Sequence, residues 1–253
     1  MASLVTAAVA LAGALLSVVL SSRAARAAAR LQHELEMRRS RASKEELVAQ
    51  LMARYREPLL RAAFDLQSRI YNIVAQAFLV DFSLHGDAAE QEYALRNTLF
   101  VFAEYLGWVE ILRRDIQFLD LGDVERNRQL ADRLDAVSEV LGDSRMIKDP
   151  AFRLFKGQQR ALGEVMIEPV EANDPSPRGR CIGYAGFVAR LEAEPEFARW
   201  FEQLAADVQA SPEDPNAHCE RLVPLQHALI DLIDFLDDPP VRFPPAQRTK
   251  LAC

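Results

Sequence analysis

AAEQEYALRNTLFVFAEYLGWVEILRRDIQFL, residues 88–119, holds one glycine and no proline, and its apolar side chains run around nearly the whole circumference of a helix. A helix that is apolar on all sides is a buried one. The stretch therefore predicts the central helix of a bundle, from Ala88 to about Leu119. Asp87 and Glu90 stand at capping-box spacing at its start. Gly107 lowers helix propensity and so predicts a close-packed neighbour.

The flanking segments read the same way. Upstream, Leu60, Phe64, Gln67, Tyr71, Val74 and Phe78 recur at helical spacing, beside a second stripe of Leu59, Ala63, Leu66, Ile70, Ile73 and Ala77. Two adjacent stripes predict a deeply packed helix, ended by His85-Gly86. Ser43 with Glu46 marks an earlier helix start. Downstream, Leu130, Leu134, Val137 and Leu141 predict an amphipathic helix closed by Gly142. Asp149-Pro150 opens the next, running through Phe152, Phe155, Leu162 and Met166. Residues 168–180 hold three prolines and read as a loop. Helices follow from Tyr184, from Pro195, and from about Cys219 to Asp237, the last kinked at Pro224. Pro239, Pro240, Pro244 and Pro245 stop regular structure, and the tail is expected to lie over the body as a strap with Phe243 buried. No segment alternates with period two. The fold class expected is all-α: an irregular bundle of about seven helices over residues 44–238, with a Pro-rich tail at 239–253.

The N-terminal end is different. Residues 1–22 carry no charge, and 15 of the 19 residues from Ala2 to Leu20 are apolar. At about 1.5 Å per residue the run spans roughly 28 Å, close to a bilayer core. A transmembrane anchor over 1–22 is expected. The rival readings are a signal peptide, which lacks its basic start here, and a buried helix. Arg23, Arg26, Arg30, Arg38, Arg39, Arg41 and Lys44 follow, against Glu34 and Glu36. The positive-inside rule then puts the N-terminus outside and the body in the cytoplasm, at the cell membrane. The basic stalk, residues 23–43, continues the anchor helix. Its arginines Arg23, Arg26, Arg30, Arg38, Arg39 and Arg41 are candidate contacts for anionic headgroups. Small residues at four-residue spacing in the anchor allow a homodimer through anchor and stalk.

Composition excludes other classes. Half of the 253 residues are hydrophobic, too many for a disordered chain, and three cysteines build no disulfide scaffold. Four histidines and three cysteines show no zinc spacing, and no E-x-x-H supports a di-iron bundle. No phosphate-binding glycine loop and no nucleophile elbow occurs. No cofactor or metal is expected, and the acidic body disfavours nucleic acid. Two polar patterns remain. Arg96, Glu104, Glu110, Arg114 and Asp115 on the central helix must find partners if buried, as an ion-pair network or as a pocket using Glu104, Glu110 and Arg114. His227, Asp231, Asp234 and Asp238 fall within about 60° of one face of the last helix. That stripe suits a divalent cation or a basic partner, or is simply a solvated edge.

The strings RYREPLL (54–60), DLQSRIYNI (65–73), GWVEILRR (107–114), FLDLG (118–122) and LIDFL (232–236) resemble an uncharacterised family of membrane-anchored all-helical proteins best represented in high-GC actinobacteria. The resemblance covers residues 50–245 and implies a shared fold, with no activity to carry over. The expected function is a single-pass anchored cytoplasmic module that binds another protein or organises a membrane assembly. The alternatives are a ligand-binding protein or enzyme with a pocket on the central helix, and a lipid-surface sensor working through the stalk.

Overall fold

The computed structural model describes residues 30–40, 42–43, 46, 55–116, 124–145, 151–168, 179–213 and 219–252. The chain divides into two units, Met1–Gln50 and Leu51–Cys253. In the first, residues 30–40 are helical and exposed, and Arg38 pairs with Glu34 at 2.7 Å. The apolar run 2–20 and Arg23, Arg26 and Arg41 lie outside the described residues, and so does part of the 43–46 capping box. Among the described residues no helix is long and apolar enough to cross a membrane.

The second unit is helical, as its patterning predicts. Its elements are α1 (55–75), α2 (Ala88–Ile116), α3 (Val124–Gly142), α4 (Lys156–Val165), α5 (Tyr184–Ala193), α6 (Pro195–Ala198), α7 (Glu202–Ala210) and α8 (Cys219–Leu236). A π-helical turn, Val80–Leu84, joins α1 to α2. α2 is the central element: Leu99, Phe102, Ala103, Tyr105, Leu106 and Leu112 are all buried. Its start is the reciprocal box read from the sequence. The Asp87 carboxylate accepts from the Glu90 N–H at 2.9 Å, and the Glu90 carboxylate accepts from the Asp87 N–H at 2.9 Å. α2 packs most extensively on α4, and α3 on α8.

Two glycines set the first contact. A Cβ at Gly107 would lie 2.8 Å from Cys181 Sγ, so the close neighbour predicted there exists. A Cβ at Gly163 on α4 would lie 2.6 Å from the Leu106 carbonyl oxygen. Glycine at both points lets α4 and the segment at Cys181 sit directly on α2.

Three local expectations are corrected. The helix from Leu59 ends at residue 75, and Ala77 turns left-handed at φ 51° before the π turn. Residues 151–155 are not helical. Phe152 has φ 56°, its N–H donates to the Asp207 carboxylate at 2.9 Å, and α4 begins only at Lys156. Contacts more than 50 residues away in sequence hold this segment, which no local pattern reveals. Finally, a minimal antiparallel hairpin is present: β1 (Ile167–Glu168) pairs with β2 (Arg180–Cys181). Two-residue strands are too short to show a period.

Candidate functional site

The polar residues of α2 go to different places. Arg96 pairs with Glu92 on its own helix and with Glu192 of α5, the latter at 2.6 Å. Glu110 is buried and accepts from Arg113 at 2.6 and 2.8 Å and from Arg114 at 3.0 Å. Burial alone would raise its pKa. The two guanidiniums outweigh that and hold the carboxyl below its ordinary value. Arg114 also approaches Glu164 of α4 at 3.8 Å. Glu104 stands apart from this cluster. Burial, and secondarily the charge of Asp65 on α1, push it up to about 7. Behind it lies Cys181, whose Sγ is 3.9 Å from the Glu104 carbonyl oxygen. Burial and then the charges of Glu104 and Glu168 raise that thiol to about 12, which makes it a poor nucleophile. The Asp115 side chain lies outside the described residues.

One concavity opens beside Glu110. It lies between α2, α3 and α4 and has a volume of about 400 Å³. Leu106 and Val109 of α2 form one wall, and Leu130, Ala131 and Leu134 of α3 the other. Arg113, Asp135, Lys156 and Arg160 stand around it. Pockets of about 300–1,000 Å³ with apolar walls and a few polar groups are the usual form of small-molecule sites. Sequence reasoning singled out Glu110, but Lys156 escaped it. The walls read as ordinary core stripes. The signal that α3 is incompletely covered is that Leu130 is buried while Leu134, one turn on, is only partly so.

The acidic stripe on α8 holds the chain's own tail. Lys250 Nζ donates to Asp231 at 2.7 Å, Arg248 donates to Asp234 at 3.0 Å, and Arg248 also pairs with Asp237. His227 Nε2 donates to the Leu251 carbonyl at 2.8 Å. Gln226 receives the Leu251 N–H at 3.1 Å and donates to the Thr249 carbonyl at 2.9 Å. Phe243 stacks on Phe64 of α1, ring centroids 3.7 Å apart. The strap expected from the prolines is therefore formed, with Phe243 half-buried. Asp238 is exposed. Among the described residues no group of three or more His, Cys, Asp or Glu side chains is arranged to hold a metal ion.

Comparison with protein-family models, with curated proteins and with solved structures finds no match to this chain. The resemblance noted above therefore receives no support from a family model, and function rests on the chain's own geometry.

Proposed function

We propose that the protein is a single-pass, membrane-anchored binding module, with its body in the cytoplasm, that takes an apolar small ligand between α2, α3 and α4. The observation that carries this is the pocket of about 400 Å³ walled by Leu106, Val109, Leu130 and Leu134. Binding rather than turnover is favoured because Glu110, the buried carboxylate at this pocket, is committed to Arg113 and Arg114. The uncharged run 1–22 and the basic residues after it support the anchored topology. A protein partner is the second reading, supported by Phe82 and Leu84, exposed on the π turn.

Nile red tests the pocket. The full-length chain in phosphatidylcholine nanodiscs should raise the dye's emission above that of empty nanodiscs. Leu134→Trp or Ala131→Trp, each placing an indole in the cavity, should remove most of that increment while leaving the circular-dichroism melt intact. An increment unchanged in both folded variants would sink the proposal.

A further inference from the structure

Resting on that pocket, we infer that its ligand is a single-chain anionic amphiphile, an alkyl carboxylate or a close analogue, bound with its chain against α2 and α3 and its head at Lys156 and Arg160. Three observations converge on this class.

The first is shape and lining. The walls are aliphatic: Leu106 and Val109 face Leu130 and Leu134. An aliphatic slot gains by removing methylenes from water, at about 0.8 kcal/mol per buried CH₂. The second is size. A concavity of about 400 Å³ lies toward the small end of the range of small-molecule sites, about 300–1,000 Å³. That scale suits one alkyl chain of middling length.

The third is charge. Three cations line the pocket, Arg113, Lys156 and Arg160, against two carboxylates, Glu110 and Asp135. Glu110 is already neutralised by Arg113 and Arg114. Arg160 is held only loosely, 4.0 Å from Glu164. Lys156 has no ion pair among the described residues and stands exposed in the first turn of α4, a turn with no acidic residue. A cation there opposes the helix dipole, and an anion bound beside it relieves that opposition. Asp135 is the one exposed carboxylate of the lining and disfavours a second negative charge, which selects a singly charged head.

The test is photo-crosslinking of the full-length chain in phosphatidylcholine nanodiscs, with peptide mapping by mass spectrometry. The probes are a diazirine-bearing laurate and the matching diazirine-bearing dodecanol. The acid should label α2, α3 and α4 peptides about tenfold more than the alcohol, the scale of one charge-assisted contact. Lys156→Glu should remove that preference. Lys156 is exposed, so this variant retains its fold. Equal labelling by acid and alcohol would overturn the anionic head and leave the pocket standing. Absence of labelling in α2, α3 and α4 by both probes would overturn the pocket and this inference together. An acid preference that survives both Lys156→Glu and Arg160→Glu would place the head elsewhere and refute the assignment.

Discussion

At the residue scale, Glu104 is a carboxyl whose ionisation conflicts with its surroundings. Burial raises it from 4.5 to about 7, and Asp65 adds to the effect. Asp65 is itself raised, by lost hydration, against the pull of Arg61. Between about pH 4.5 and 7 the folded chain holds a proton on Glu104 that the unfolded chain has released. That contribution to stability is complete below about pH 4.5 and is lost as pH rises through 7. Glu104→Gln mimics the neutral acid at every pH. The variant should match the parent near pH 5 and exceed it at pH 8 by roughly 1–3 kcal/mol in urea unfolding. Parallel stability-pH curves for the two proteins would show that the carboxyl is not strained. Glu110 offers the contrast six residues away on the same helix. Its burial is met by two guanidiniums, so it stays ionised where Glu104 does not.

At the element scale, one arginine ties two helices and a loop together. Arg221 on α8 is 1% exposed. Its guanidinium donates to the carbonyls of Val140 at 2.5 Å, Leu141 at 3.2 Å, Asp143 at 2.9 Å and Ala151 at 3.1 Å. The first two lie in the last turn of α3, where helix carbonyls lack intrahelical partners. Arg221→Leu takes a donor from all four carbonyls, of which Leu141 keeps the Leu154 N–H, and should cost roughly 2–4 kcal/mol in urea unfolding. Arg221→Lys should recover less than half of that, because three ammonium donors cannot reproduce the planar fork. Full recovery by lysine would mean that charge, not geometry, caps α3. Nothing local in the sequence marks Arg221; it reads as one more charge on a helix. The same limit applies wherever the fold departs from its pattern. α2 and α3 were legible because their own side chains carry the signal, as Asp87 and Glu90 do for the start of α2. Phe152 was not, because its left-handed backbone depends on Asp207. The site was half legible: Glu110 and its arginines lie within one turn, but the pocket exists only where α3 and α4 fail to close over Leu134.

At the scale of the whole molecule, charge separates along the chain. Residues 1–44 carry a net +5 and residues 45–253 a net −12, which the overall −7 conceals. The acidic side chains of α8 are partly answered within the second unit, where the strap brings Arg248 and Lys250 to Asp234, Asp237 and Asp231. Arg242 likewise reaches Glu57 of α1 at 3.0 Å. Among the described stalk residues, Arg38 pairs with Glu34, its neighbour one turn away, and both are exposed. A net positive segment next to an uncharged apolar run is the arrangement that holds a cytoplasmic body beneath an anionic leaflet. The anchored topology proposed for this chain makes a demand that can be checked on cells. An alkaline phosphatase fused after Cys253 should stay inactive, a green fluorescent protein at the same place should glow, and the fluorescent fusion should resist extraction by carbonate. Deleting residues 1–22 should release the fluorescent fusion to the soluble fraction, because a stalk of +4 alone gives attachment that salt screens. Active phosphatase would put the body on the other side. A deletion that stays in the membrane through high salt would show that the apolar run is not the anchor.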